Sequence, residues 1–531
     1  MLKRDLPVFI GIAIVFWFMS GRFGGFIQDD AYIFARYANN LAQGNGFVYN
    51  NGERVEGATS LLWTFIAAAA AKTGTDVPHF LQLAGTLSAV LWLFVFFLIC
   101  RQWLKTRYTW IYPLLLLAFF PAMWLWSKGG LEVMFFGLLM YTALYAAEAW
   151  RESGKNTLLG LAILASVLLV FTRPEGLTIA FFTALYLLIY PNEGKRKTVI
   201  RYFIPLVGFS VVALIAFRFW YFNDIVPNTY YAKGGGGYYL LRLGLGKLSV
   251  MLRSNWIIAF VVLSFAALSI KSRLRIWLLL IPVWMAYFVK VGGDILPENR
   301  LFLPAVPLLF LGSFFFWEKM KERYFPQSRL APYLPILISG LLVVNSYRYS
   351  MRELSPYFGV KTALEGAHGE TGRYLNAHMK PGETAVLTDA GMTAYYAPDK
   401  HMTDWLGLCS ADIARVFYET GYNPWAMYYC TDPIELEKRK GACYSRLESY
   451  FEARSPEYVV LNIYLSSDSL ENQFMEDYAR DLPDSLGSFV INHISFEGYF
   501  GIFNNDNNGR GYKPVLAVPY NPEFWMITAK K

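Results

Sequence analysis

The strongest constraint on this chain is how its apolar residues are grouped. Up to about residue 348 they fall into blocks of roughly 17–25 residues, the length needed to cross a bilayer as a helix. Spans read near residues 6–22, 77–100, 109–127, 131–149, 157–172, 175–190, 202–222, 251–270, 275–291, 301–317 and 331–348. With 55% hydrophobic and only 17% charged residues, the chain is too apolar to be an ordinary soluble protein. Beyond residue 348 the composition becomes that of a globular domain of about 180 residues, a common domain size. The expected fold is a polytopic α-helical membrane protein of about eleven transmembrane helices, residues 1–348, followed by a mixed α/β domain, residues 349–531.

The net charge of +8 is placed by topology and does not point to nucleic acid. Lys3 and Arg4, Arg101 to Arg107, Arg151 and Lys155, Lys195 to Arg201, Lys271 to Arg275 and Lys319 to Arg329 occupy alternate loops. That is the positive-inside pattern with a cytoplasmic N-terminus, and an odd number of spans puts the α/β domain on the periplasmic side. The first span lacks a small-x-small site before Arg22, so it reads as an anchor rather than a cleaved leader. Residues 60–73 are apolar but too short to span, and read as a helix at the outer interface. Among the cysteines an external Cys430–Cys443 disulfide is open, and no Cys/His spacing resembles a zinc site.

The loop after the first span, from Gly24 to Trp63, is densely polar. It opens with Asp29 and Asp30, continues as a short amphipathic helix, turns at Gly44 to Gly52, and passes Glu53, Arg54 and Glu56. Charged side chains beside membrane spans are costly and face protein or a wet cavity. The other outer loops add to this set. Glu132, four residues after Lys128, either pairs with that lysine or points into the cavity of Asp29. Arg173 and Glu175 flank Pro174 between two spans, and Glu175 also suits the start of the next helix. Residues 223–237 carry Lys233 before four glycines and read as a flexible lid, since the GxxxxGK[ST] phosphate loop is missing. Residues 292–300 offer Asp294 and Arg300 beside Gly292 and Gly293. The α/β part shows β-rich runs at 384–388 and 458–461, a strand-to-helix turn at Asp389–Met392, a stretch of paired strands at 488–503, and a less ordered tail.

Carboxylates and cations on one membrane face suit transfer from a lipid headgroup. A carboxylate takes a proton from an acceptor hydroxyl, and cations hold the departing phosphate.

The block DDAYIFARYANNLAQGNGFVYNNGERVEGATSLLW resembles the first outer loop of polyprenyl-phosphate-sugar-dependent glycosyltransferases of the GT-C fold. It is most similar to the mycobacterial terminal arabinofuranosyltransferase (AftB-type) family. SKGGLE, TRPEG, PNTYYAK, GGDILPENRLFLP and TDAGMTAYY…DWLGL follow in the order of that group. The resemblance implies a multi-pass inner-membrane enzyme. Its donor would be a polyprenyl-phosphate sugar, with arabinofuranose the first choice. Its acceptor would be a hydroxyl of an envelope glycan or glycoconjugate, with a protein acceptor open. The family's acid pair matches Asp29 and Asp30, with Asp29 the first choice as base and the two roles exchangeable. On electrostatic grounds Arg300, Arg173 and Lys233 are candidates for the donor phosphate. Glu56, Glu132, Glu175 and Asp294 are candidates for sugar and acceptor hydroxyls. No metal site is assigned, although Asp29, Asp30 and Asp294 could share a divalent cation. The rival from another class is a transporter or flippase of a lipid-linked sugar, which would show broken helices and charges near the bilayer midplane.

Overall fold

A computed structural model describes residues 2–106, 108–192, 194–254, 257–294, 296–328, 365–423, 433–464, 513–521 and 524–530, with five single positions between 337 and 354. The protein is mainly helical and multi-pass. Its N-terminal part runs α1 (Leu2–Gly21), α2 (Asp29–Gln43), α3 (Leu61–Ala71), α4 (Val77–Trp103), α5 (Ile111–Ala118), α6 (Pro121–Lys128), α7 (Val133–Ser153), α8 (Asn156–Thr172) and α9 (Gly176–Ile189). Helices at Ile204–Phe222, Gly237–Ser254, Ile257–Ala267, Leu280–Lys290 and Val306–Tyr324 follow. Each of the first ten expected spans coincides with helix, and the eleventh lies outside the described residues. By length and apolarity alone, five described helical stretches are able to cross a membrane: Arg4–Gly21, Val77–Trp103, Val133–Ser153, Arg196–Phe222 and Pro297–Tyr324.

The third expected span differs from the sequence reading. It is broken between α5 and α6, which meet at 52°. Pro121 is the cause, because it lacks an N–H and starts a new helix rather than continuing the old one. The carbonyl of Ala118 freed at the break accepts a hydrogen bond from Trp124 Nε1 at 2.7 Å.

The basic loops meet at one end of the bundle. Arg101 pairs with Asp5 at 3.2 Å, and the backbone N–H groups of Lys105 and Thr106 cap Glu318 at 3.0 and 2.9 Å. Arg151 and Arg273 both reach Glu148, while Lys195 donates to the Gly154 carbonyl. With Arg273 also over the Trp103 ring, these contacts place the loops after α4, α7 and α9 together.

The C-terminal part contains a five-stranded mixed sheet. It is built from β1 (Thr384–Leu387), β2 (His401–Asp404), β3 (Tyr458–Tyr464), β4 (Lys513–Asn521) and β5 (Phe524–Lys530), in the order β2-β1-β3-β5-β4. The first three strands are parallel and the last two antiparallel. The runs expected at 384–388 and 458–461 are β1 and β3, while 488–503 lies outside the described residues. In the tail, expected to be less ordered, residues 513–521 and 524–530 are strands instead. β4 carries Pro514 and Pro519, which argue against a strand, and tolerates them as an edge with register shifts at both prolines. Cys100, Cys409 and Cys443 are free and buried; Cys430 lies outside the described residues.

Candidate active site

Asp29 and Asp30 open α2, where negative charge suits the helix dipole. Successive helical residues point about 100° apart, so the two carboxylates diverge. Asp29 is buried and turned toward the sheet domain. It accepts hydrogen bonds from the backbone N–H groups of Gly391 (2.9 Å) and Met392 (2.7 Å), at the start of the short helix Met392–Tyr395. Gly391 is required there, since any Cβ would strike the Asp29 carboxylate and carbonyl.

Seven residues on, Arg36 lies on the same face of α2 and serves the other end of that helix. Its guanidinium donates to the carbonyls of Ala394, Ala397 (3.1 Å) and Lys400 (2.8 Å), and to Tyr49 O (2.8 Å). The Asn50 amide adds a two-way rung to Met402, at 2.9 and 3.0 Å, and Tyr49 Oη donates to Ala390 O at 2.6 Å. This seam fastens the first outer loop to residues 389–409. Burial pushes the Asp29 carboxyl up to about 6, against the pull of His368 and the Met392 N–H. His368 is buried beside it, 3.9 Å from Asp389, with Thr393 Oγ1 on its other ring nitrogen at 3.2 Å. Asp404 is buried in the same layer and accepts from Leu406 and Cys409 N–H groups; burial raises it to about 7.

Asp30 is only half-buried and lies among the charges of several loops, a polar cluster here termed the cleft. Lys233 faces it from the helix Asn228–Gly234. Lys233 is solvent-exposed, while protein groups surround its amine. That enclosure lowers its pKa, with Asp30 and Asp294 pulling it up and Arg300 and Arg173 pushing it down. Three other loops therefore bring their charges within electrostatic reach of one ammonium. Among the described residues, neither the Asp30 carboxylate nor Lys233 Nζ has a hydrogen-bond or ion-pair partner.

The remaining cleft charges are more committed. Asp294 accepts from Leu296 and Leu301 N–H groups at 3.1 and 2.7 Å and lies 3.5 Å from Arg300 Nε. Gly293 takes a left-handed conformation beside Asp294, and Glu298 and Asn299 do so just before Arg300. They aim the Arg300 guanidinium over the Trp126 ring, 5.4 Å from its centroid. Arg173 is held by two carboxylates, Glu132 and Glu175, the latter in a two-point contact at 2.9 and 3.3 Å; Tyr287 also donates to Glu175. Glu132 thus turns to Arg173 rather than to Lys128, whose amine sits over Trp17.

Glu56 stands apart from this group. Both its oxygens are taken by Arg218 at 2.8 Å each, in a buried pair. Its carbonyl accepts from Asn228 N–H, and the Asn228 amide donates to Gly407 and Leu408. The stretch expected as a flexible lid is accordingly a pinned helix, and Asn423 also donates to the Lys233 carbonyl at 2.7 Å. No three His, Cys, Asp or Glu side chains gather as a metal site among the described residues. Asp29 and Asp294 each accept two hydrogen bonds from backbone N–H groups.

Sequence reasoning missed Arg36, Arg218, His368, Asp389 and Asp404. Arg218 had a signal, a lone charge inside the apolar run 202–222. Arg36 had a weaker one, its seven-residue spacing from Asp29.

A helical membrane bundle with a polar cleft floored by its first outer loop and closed by a C-terminal α/β domain is the GT-C architecture. ArnT from Cupriavidus metallidurans bound to undecaprenyl phosphate superposes with a TM-score of 0.51 at 11% identity, over 99% of this chain and 98% of that one. Its apo form gives 0.50 at 10% identity, with the same coverage.

In sequence the chain is similar to the terminal beta-(1->2)-arabinofuranosyltransferase of Mycobacterium tuberculosis, 29% identical over 224 residues, 40% of this chain and 35% of the relative. The enzyme of that name from Corynebacterium glutamicum is 25% identical over 344 residues, 56% of this chain and 48% of the relative. The match thus spans about a third to a half of these relatives. Residues 359–503 match a domain of unknown function, DUF8728. The GT-C fold and the likeness to terminal arabinofuranosyltransferases expected from the sequence are both borne out.

Proposed function

We propose that the protein is a membrane glycosyltransferase that moves a sugar, with arabinofuranose the first choice, from a polyprenyl-phosphate donor to a hydroxyl of an envelope glycan. The observation that carries this reading is the Asp30 carboxylate within electrostatic reach of the Lys233 ammonium and of Arg300, with neither Asp30 nor Lys233 paired among the described residues. A base and a phosphate clamp in one cleft are what the reaction needs. The similarity to arabinofuranosyltransferases and the fold shared with an undecaprenyl-phosphate-bound protein support the donor class.

In this reading Asp30, rather than the buried Asp29, takes the proton from the acceptor hydroxyl. The acceptor oxygen forms its bond to the anomeric carbon as the bond from that carbon to the phosphate oxygen breaks. The departing polyprenyl phosphate keeps the electron pair, and Lys233 and Arg300 hold its charge. Arg173 is neutralised by two acids and acts mainly as a fixed wall, presenting Glu132 and Glu175 to sugar hydroxyls. Asp294 orients Arg300. Glu56 serves the fold through Arg218. No step is routed through a metal. Residues 1–348 form the membrane unit and 349–531 the outer unit, with the N-terminus cytoplasmic and the cleft periplasmic. The lipid tail lies between helices.

The test is transfer of radiolabelled sugar from synthetic polyprenyl-phosphate arabinofuranose by the purified protein, with envelope extract as acceptor. Label must move with wild type and stop with Asp30→Asn. If another lipid-linked sugar works instead, only the donor changes. The broken α5–α6 span favours one rival, since transporters use such helices. Labelled lipid crossing a liposome bilayer without donor consumption would replace the enzyme by a flippase.

A further inference from the structure

A second cavity lies away from the cleft, on the outer domain. It is an open groove of about 500 Å³ between the helices Ala411–Thr420 and Pro433–Arg454. That volume falls in the range of small-molecule ligand sites, about 300–1,000 Å³. Asp412 and Arg415 line one side, Ser445, Arg446, Ser449 and Tyr450 the other.

The charges of the groove decide which ligand it suits. Each arginine already has an acid: Arg415 with Asp224 at 2.5 Å, Arg446 with Glu419 at 2.7 Å, and Arg454 at the rim with Asp412 at 2.8 Å. Each of these cations is matched by an anion, and Glu53 also lies near Tyr450, so the groove has no excess positive charge to select a phosphate or a polyanion. What it offers is hydroxyls, ion pairs with spare donors and acceptors, and the face of the Tyr450 ring opposite the Arg454 guanidinium, which is stacked 3.9 Å from the ring centroid. This is the chemistry that recognises a neutral polyol.

The groove also connects to the cleft. Arg415 stacks on Tyr231, 3.5 Å from the ring centroid. Tyr231 and Tyr230 pack on Tyr418, at 5.3 and 5.8 Å between centroids, and Tyr230 and Tyr418 are 51% and 39% exposed. The Tyr418 ring lies against Gly234, the residue next to Lys233. A chain of packed side chains, Arg415, Tyr231, Tyr418 and the partly exposed Tyr230, therefore runs from the groove to the helix that carries Lys233.

We infer that this groove and its tyrosine row bind the body of a neutral oligosaccharide acceptor, whose end enters the cleft beside Lys233. The inference rests on the reading of the cleft as a site of sugar transfer to a glycan.

Calorimetric titration of the full-length protein in detergent tests it, using a neutral arabinofuranose oligosaccharide and, in parallel, a uronic-acid oligosaccharide of equal length. Wild type should bind the neutral one better. Ser449→Trp, which fills the groove from an exposed helix position, and Tyr450→Ala should each weaken that binding about tenfold, with unchanged thermal unfolding. If Tyr450→Ala fails to fold, Ser449→Trp carries the test. Equal binding by all three proteins, binding of the acidic oligosaccharide alone, or no binding at millimolar concentration would overturn the inference. Binding lost in Ser449→Trp while wild type transfers no sugar from any donor would uphold the groove and sink the reading of the cleft. Transfer to a long acceptor that Ser449→Trp leaves intact would do the reverse.

Discussion

The seam and the cleft are built from the same helix and from adjacent residues, yet they use charge in opposite ways. In the seam, Asp29 and Arg36 spend their charge on backbone groups at the two ends of the Met392–Tyr395 helix. Among the described residues neither has a side-chain ion-pair partner of opposite charge there. In the cleft, Asp30 and Lys233 have no partner among the described residues, and the committed charges around them are held by neighbours. A buried group that is fully satisfied is part of the fold; an accessible group that is not remains free to act on a substrate. The pair Asp29–Asp30 thus divides into a buried anchor and a half-buried carboxylate, the one proposed above to react, although nothing in the two letters distinguishes them.

Substitutions can break this division. The largest effect is expected from Asp30→Asn, a loss of transfer of about 10²–10⁴-fold, the usual value of a positioned acid or base. Its thermal stability should stay close to wild type; a large drop in melting temperature would move Asp30 into the seam. Next, Arg36→Met should cost about 3 kcal/mol or more in denaturant titration, because several buried carbonyls lose their donor at once. If Arg36→Met unfolds no earlier than wild type, the seam does not hold the domain.

Asp29→Asn should be milder, about 1–3 kcal/mol, since an amide oxygen still accepts one of the two N–H groups while its NH₂ opposes the other. Transfer by the folded fraction should survive far better than in Asp30→Asn, and equal losses would return the base to Asp29. The smallest effect concerns pH. Burial raises Asp29 to about 6 and Asp404 to about 7, so between about pH 4 and 7 the folded chain keeps protons that the unfolded chain releases. Their contribution to stability is therefore highest in acid and falls as pH rises through that window. Melting temperature should drop by a few degrees across it, and Asp29→Asn should flatten the part of the slope below about pH 6.

The bundle was legible because lipid forces long apolar runs, and each of the first ten such runs coincides with helix. The cleft was legible too, because isolated charges beside apolar runs must go somewhere, and Asp30, Lys233, Asp294, Arg300 and Arg173 went to one place. The seam was not. Asp29 binds backbone N–H groups of residues more than three hundred positions away, and a backbone donor leaves no mark on side-chain identity. The Pro121 break was visible as a letter, but an interior proline does not announce the 52° bend it produces. Glu56 was misleading for the opposite reason: its polar context suggested a ligand, while its partner Arg218 was hidden in an apolar span.

The separation of 362 residues between Asp29 and Gly391 has a consequence in time. The floor of the cleft leaves the ribosome early, and the backbone that grips it follows roughly 20–70 s later at about 5–20 residues per second. Through that interval α2 carries a buried-type carboxylate and guanidinium with nothing to receive them, so the first outer loop stays unfastened. The contact between α2 and the backbone at Gly391 and Met392 is therefore among the last to form as the chain is made.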